Sequence, residues 1–279
     1  MAPVTPPPRD VKSAPSEHIR RGHFNASPIG TTTVVIGRAL DPFLQYRLIN
    51  GWGASFLSKL GLAVVPAAVP AFHTGISALD SLGLSLPRLV VLAMSVGSAA
   101  KHILWATALS NEELTPQFAV MISGYNAVLN TANALFFVAA ATSSSLASPQ
   151  ISIPGTGATV SLPVVLGTLL YTAGIAIETV SEIQRKQFKD RPENKGKICT
   201  TGLWGWARHI NYTGYTMWRT GFALAAGGWI PAALIFAMQS HGFLTRSIGS
   251  LDSYMTEKYG EQWAKYNRNV PWKIFPGIY

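Results

Sequence analysis

The sequence predicts an all-α, polytopic helical membrane protein with about five to six transmembrane or re-entrant helices. Three observations point there. The 279 residues are 48% hydrophobic and only 13% charged, whereas soluble domains carry about a quarter charged residues. Apolar runs long enough to cross a hydrocarbon core of about 30 Å fall at residues 60–79, 88–109, 117–142, 160–181 and 213–229. A shorter sixth run at 230–244 opens on Trp229-Ile230-Pro231, as a re-entrant segment or the second arm of a hairpin would. The cations behind the net charge of +9 flank these runs. They form no basic soluble face, so they mark membrane orientation and not a nucleic-acid partner.

Residues 1–35 read as a disordered tail, rich in Pro and Ser and without the apolar core of a secretory signal. Residues 36–59 mix Phe43, Leu44, Trp52 and Phe56 with Arg38, Arg47 and Lys59, a composition suited to a segment lying in the interface or to a short helix packed on protein. Residues 60–182 then hold transmembrane helices one to four. Spans two and three are rich in Ala, Gly and Ser, which permits close helix packing. Tyr125, Asn126, Asn130 and Asn133 give the third a polar strip, as interhelical glue or as the lining of a ligand site. The uncharged connection at 143–159 faces the outside, and the basic stretch from Arg185 to Arg208 faces the cytosol with both chain termini. Cys199 is the single cysteine, which excludes an internal disulfide and a cysteine-based metal site.

Residues 183–279 carry the chemistry, together with the last membrane helices. Glu178, Glu182, Arg185, Lys186 and Lys189 recur at spacings of three and four, so one helical face runs from carboxylates to cations. Pairing within the helix and facing a ligand are both open for them. Past a loop broken by Pro192, Gly196 and Gly202, the residues Arg208, Asn211, Tyr212, Tyr215 and Arg219 continue a polar stripe into the fifth span. An arginine within a span costs at least about 2.5 kcal/mol near the bilayer centre and needs a partner; Glu178 or Glu182 on the preceding helix is the expected one. Cations, ring faces and amides together suit a nucleotide cofactor, in a pocket on the cytosolic side. The phosphate-binding glycine motifs of soluble nucleotide folds are absent, and neither a metal site nor a Ser-His-Asp arrangement can be built around His209.

"FKDRPENKGKICTTGLWGWARHINYTG" and "KYGEQWAKYNRNVPWKIFPGIY" resemble, in order, the two signatures of the steroid 5-alpha-reductase and sterol-reductase superfamily, in particular its DUF1295 branch. The resemblance covers about the last hundred residues. It implies a membrane reductase in which NADPH enters from the cytosol, at the endoplasmic reticulum, and delivers hydride to a carbon–carbon double bond of an unsaturated lipid, sterol or enone. It further implies cofactor contacts from Arg185, Lys189 and the loop cation Lys195, from Trp204, Arg208, Asn211 and Tyr212, and from Lys258, Tyr259 and Tyr266, with Glu182 standing where steroid-reductase relatives place an acid. Sterol-reducing members carry acids directly after the N-Y-x-G turn and four residues later. Here Tyr215 and Arg219 stand there instead, so Tyr215 assisted by Arg219, or Glu178, is the expected proton donor. The isoprenylcysteine methyltransferases share a related turn and use S-adenosylmethionine. That chemistry, and a noncatalytic lipid- or cofactor-binding protein, are the alternatives.

Overall fold

The structure, a computed structural model, describes residues 22–66 and 70–279. It is mostly helical, and its long helices run back and forth between two ends of one bundle. Helix α1 (Pro28–Arg47) continues through a π-helical turn at Leu48–Trp52 into α2 (Gly53–Lys59). A one-turn helix α3 (Ser77–Asp80) precedes α4 (Leu86–Leu104), which extends as a π-helical segment to Leu109. After α5 (Pro116–Val138), a small hairpin of β1 (Gln150–Ser152) and β2 (Thr159–Ser161) pairs antiparallel with Ile151 opposite Val160. Then follow α6 (Leu162–Asp190), α7 (Ile210–Gly227), α8 (Trp229–Gly242), α9 (Ile248–Tyr259) and α10 (Glu261–Asn269).

Punctuation in the sequence sets these starts. Helices α1, α4, α5 and α6 each begin just after Ser27, Ser85, Thr115 or Ser161 with a proline in the first turn, where its missing N–H costs nothing. Thr115 also accepts the Phe118 N–H at 3.2 Å, a side-chain N-cap. Gly228, at φ 75°, turns the chain from α7 into α8.

One end of the bundle gathers the start of α1, the connection after α4 and the C-terminal tail. There the Glu113 N–H donates to the His23 carbonyl at 2.8 Å, and the Arg208 and His209 N–H groups donate to the carbonyls of Trp272 and Lys273. At the other end Val65 donates to the Val138 carbonyl, and Ser144 Oγ donates to the Ala225 carbonyl at 2.5 Å. The segments expected as spans two to five are thus helices, while the first is misplaced. Within 60–79, Ser77–Asp80 is the helix among the described residues, and the stretch assigned to the interface is α1 and α2, which run the length of the bundle. The boundary drawn at residue 35 falls inside α1, and residues 1–21 of the expected tail lie outside the described residues.

The physical reason is that α1 is amphipathic inside out. Val34, Arg38, Asp41 and Gln45 recur at spacings of three and four and are buried, whereas Ile36, Leu40 and Phe43 are exposed. A polar face turned inward interrupts any continuous apolar run. Among the described residues, two helices, Leu86–Leu109 and Leu162–Asp190, are long and apolar enough by themselves to cross a membrane.

Helices α6 and α7 are packed closest of all. A Cβ built on Gly174 would lie 2.4 Å from Trp218 N, on Gly221 2.4 Å from Tyr171 N, on Gly214 2.5 Å from Glu178 N, and on Gly167 2.5 Å from Ala225 N. Two glycines on each helix, seven residues apart, therefore let backbone touch backbone. The sequence suggested small-residue packing for spans two and three; the tightest seam joins four and five. Gly174→Val and Gly221→Val should each destabilise the fold by about 1–3 kcal/mol through overpacking, read as a lowered thermal midpoint, while Gly249→Val, where the added Cβ meets no atom within 4 Å, should cost less.

Candidate functional site

The glycine seam brings two polar centres into line along α6 and α7. The outer one lies where the α6 C-terminal half meets the start of α7. Glu182 is buried and accepts from Asn211 Nδ2 at 2.9 Å and from Arg185 at 2.5 Å. The Arg185 side chain is 47% exposed, with its guanidinium 5.6 Å from the centre of the Trp204 ring. Trp204 Nε1 in turn donates to the Ser181 carbonyl at 2.7 Å, and Tyr266 from α10 donates to the Trp204 carbonyl at 2.6 Å. One helical turn farther out, Lys189 donates to Tyr259 Oη at 3.0 Å and to the Lys197 carbonyl at 2.5 Å. Lys258 donates to Tyr254 Oη at 2.8 Å and stands 5.7 Å from the Tyr259 ring centre.

Of the expected cofactor residues, Glu182, Arg185, Trp204, Asn211 and Tyr266 thus share one network, and Lys189, Lys258 and Tyr259 adjoin it. Tyr212 sits beside it, stacked on Phe243 at 4.3 Å and on His209 at 5.4 Å. Arg208 instead reaches toward the Pro271 carbonyl at 3.5 Å and helps pin the tail. Lys195 is exposed on the loop and joins none of these contacts. Intrahelical pairing of Glu182 holds with Arg185, while Lys186 pairs with Asp190 at 2.9 Å.

The inner centre is one turn deeper. Glu178 is buried, ion-paired with Lys101 of α4, and accepts from Trp218 Nε1 at 2.6 Å. Arg219 is 1% exposed. It does not pair with Glu178 or Glu182 as expected from the sequence. Its Nε donates to Tyr215 Oη at 3.2 Å, its two terminal nitrogens donate to Asn130 Oδ1 at 3.1 Å and to Asn126 Oδ1, and the Trp218 ring centre is 4.2 Å away. Trp218 explains the correction: it bonds Glu178 by its N–H and covers Arg219 with its face, so one indole stands between the two charges. The strip on the third span is therefore bound to α7 through Asn126 and Asn130, with Tyr125 accepting from Gln239 of α8 at 2.7 Å.

Arg38 and Asp41 extend this centre into α1, which the sequence suggested as an interfacial segment or a short helix packed on protein and which is a long helix of the bundle. Asp41 accepts from Arg38 at 3.1 Å, from Gln45 at 2.8 Å and from Asn130 at 2.6 Å. The signal was present, since positions 38, 41 and 45 share a helical face, as was the isolated Lys101 in an apolar span.

Apart from Arg38, Asp41 and Gln45 of α1 and Pro271 of the tail, these residues lie within a stretch, 71–270, that matches the family model described as "Protein of unknown function (DUF1295)". The chain belongs to the DUF1295 family. Within the curated proteins, this DUF1295 chain is 36% identical over 244 residues to the probable O-methyltransferase ustE of Ustilaginoidea virens, covering 87% of this chain and 84% of that protein. It is 30% identical over 126 residues to the Delta(14)-sterol reductase of Arabidopsis thaliana and 31% identical over 93 residues to the 7-dehydrocholesterol reductase of Danio rerio. Those matches cover 42% and 33% of this chain but only 34% and 20% of the two reductases. The DUF1295 chain is thus sterol-reductase-like in part of its length, and its relatives are named as enzymes of two kinds.

Two outcomes follow from the geometry. Lys101→Met strands a buried carboxylate and should cost about 3–5 kcal/mol, whereas Arg268→Met, which breaks a pair 64% and 66% exposed, should cost at most about 1 kcal/mol; thermal midpoints distinguish them. Burial, aided by the charge of Arg208, pushes His209 from its ordinary 6.5 down to about 4. The unfolded chain then takes up the proton first. Stability is complete above about pH 6.5 and falls as pH drops toward about 4, by about 3 kcal/mol in all; a pH series of midpoints should show this slope, and His209→Gln should flatten it.

Proposed function

We propose an NADPH-dependent membrane oxidoreductase that reduces a carbon–carbon double bond of a lipid, sterol or enone, embedded in the endoplasmic reticulum membrane with both ends of the bundle's chain on the cytosolic side. The observation that carries this reading is the set of cations at one mouth. Arg185, Lys189 and Lys258 stand beside the rings of Trp204 and Tyr259, and both lysines rest on neutral oxygens that a phosphate would outcompete. A phosphorylated dinucleotide accounts for three cations. S-adenosylmethionine, with one carboxylate and no phosphate, accounts for fewer of them.

The residues fit such a cofactor. Arg185 is held by Glu182 yet half exposed, so it remains able to meet a phosphate. Asn211 gives its amide N–H to Glu182 and keeps its carbonyl oxygen for a ligand donor. Bound there, the dinucleotide would supply hydride. One turn deeper, the Tyr215 oxygen accepts from Arg219, so its own hydrogen points away from the guanidinium, and Tyr215, which also neighbours the Tyr125 hydroxyl, would give that hydrogen to the reacting carbon. Tyr215 would thereby take the place of the acids that the resemblance leads one to expect. The apolar side chains exposed along α1, α5 and α8 supply the lipid-facing exterior.

The long match to a probable O-methyltransferase favours a second reading, an S-adenosylmethionine-dependent methyltransferase with the same helical frame. Titrating the detergent-purified protein with NADPH, NADH and S-adenosylmethionine separates the two. NADPH should raise the thermal midpoint and NADH, which lacks the extra ribose phosphate, should raise it less. Arg185→Gln should weaken NADPH by about tenfold or more. A shift with S-adenosylmethionine alone would replace the reductase by the methyltransferase.

A further inference from the structure

Each buried carboxylate among the described residues has a cation of its own. Asp41 pairs with Arg38, Glu178 with Lys101, and Glu182 with Arg185. Arg219 is the exception: it is buried, and its recorded acceptors are a phenol and two amide oxygens, all neutral. Three of its five N–H groups are used by those contacts. With Arg38 paired to Asp41 and Lys101 to Glu178, Arg219 leaves the centre with one positive charge in excess. An uncompensated guanidinium inside an apolar bundle is costly, and the cost is relieved by an anion.

The surroundings say which anion reaches it. Tyr125 lies with its ring centre 5.9 Å from the guanidinium and is itself 42% exposed, so one ring separates Arg219 from the apolar exterior. Met121 and Val128, one turn to either side of Tyr125 on α5, are exposed as well. Across from them, α8 contributes Gln239, whose hydrogen bond to Tyr125 at 2.7 Å links the two helices. The approach is hydrocarbon and the end point is a cation. A small soluble anion gains nothing from such a route, whereas a chain with an apolar body and a charged head matches both parts.

We propose that Arg219 docks the carboxylate head of an amphipathic lipid entering past Tyr125 between α5 and α8. This names the substrate class of the reductase proposed above and rests on that reading for its catalytic meaning. The carboxylate would take the unused N–H groups of Arg219, with Tyr215 at its side.

The test uses the full chain in lipid nanodiscs, without nucleotide. A brominated stearic acid quenches tryptophan on contact, and the part due to Trp218, beside Arg219, is the part lost in Trp218→Phe. The acid should act at a concentration at least about tenfold below that of its methyl ester or the matching alcohol. Arg219→Gln should abolish that preference and Arg219→Lys should retain part of it. Equal action of acid and ester on the unsubstituted protein overturns the proposal without relying on any variant folding. So does a preference that survives in folded Arg219→Gln. NADPH binding without an acid preference would remove this assignment and leave the reductase, and an acid preference without NADPH binding would do the reverse.

Discussion

The contact on which the rest depends is the close approach of α6 to α7. Helices normally pack with axes about 8–10 Å apart, separated by side chains. Here Gly167 and Gly174 meet Gly214 and Gly221 with no Cβ between them. At that distance short polar side chains bridge directly, so Asn211 reaches Glu182 and Trp218 reaches Glu178. Larger residues in the seam would hold these partners apart and leave each of the two buried carboxylates one donor short, with Arg185 and Lys101 as their remaining partners. Packing and chemistry are therefore one constraint on the same four positions.

From that seam a polar network runs through an otherwise apolar core, and the exterior is apolar as well. Soluble proteins place such groups the other way round, because water solvates them; in a low-dielectric setting each must find its partner in the protein. The pairs of Asp41 with Arg38 and Glu178 with Lys101, and the amide links from Asn126 and Asn130 to Arg219, supply such partners across five helices. A buried ion pair gives little net stability over a well-packed apolar contact, but breaking one is severe. The network thus fixes which helix meets which more than it strengthens the whole. Toward the mouth the same arrangement opens, and Arg185, Lys189 and Lys258 come within reach of solvent and of the tail.

How far this was legible depended on the kind of signal. Spans two to five were readable because long apolar runs follow a Ser or Thr and a first-turn proline, or, for α7, a polar motif. The mouth was readable because Glu182, Arg185 and Asn211 recur at helical spacing on two adjacent helices. The length of helix α1 and its place among the long helices were missed because its inward face is Arg38, Asp41 and Gln45, which breaks the apolar run that marks a span. The partner of Arg219 was missed for another reason: charge complementarity named Glu178, but the indole of Trp218 occupies the space between them, and only packing reveals that. Small-residue seams are also invisible to composition, since Ala and Ser in α4 look as permissive as the glycines of α6.

The measurement closest to the central claim is the separation of α6 and α7 in an electron cryomicroscopy map of the protein in a lipid nanodisc. The account predicts axes closer than the usual spacing of about 8–10 Å, with Gly174 against the backbone of Trp218 and Asn211 bonded to Glu182. Axes at the ordinary spacing, with side chains filling the gap and Glu182 turned away from α7, would contradict it.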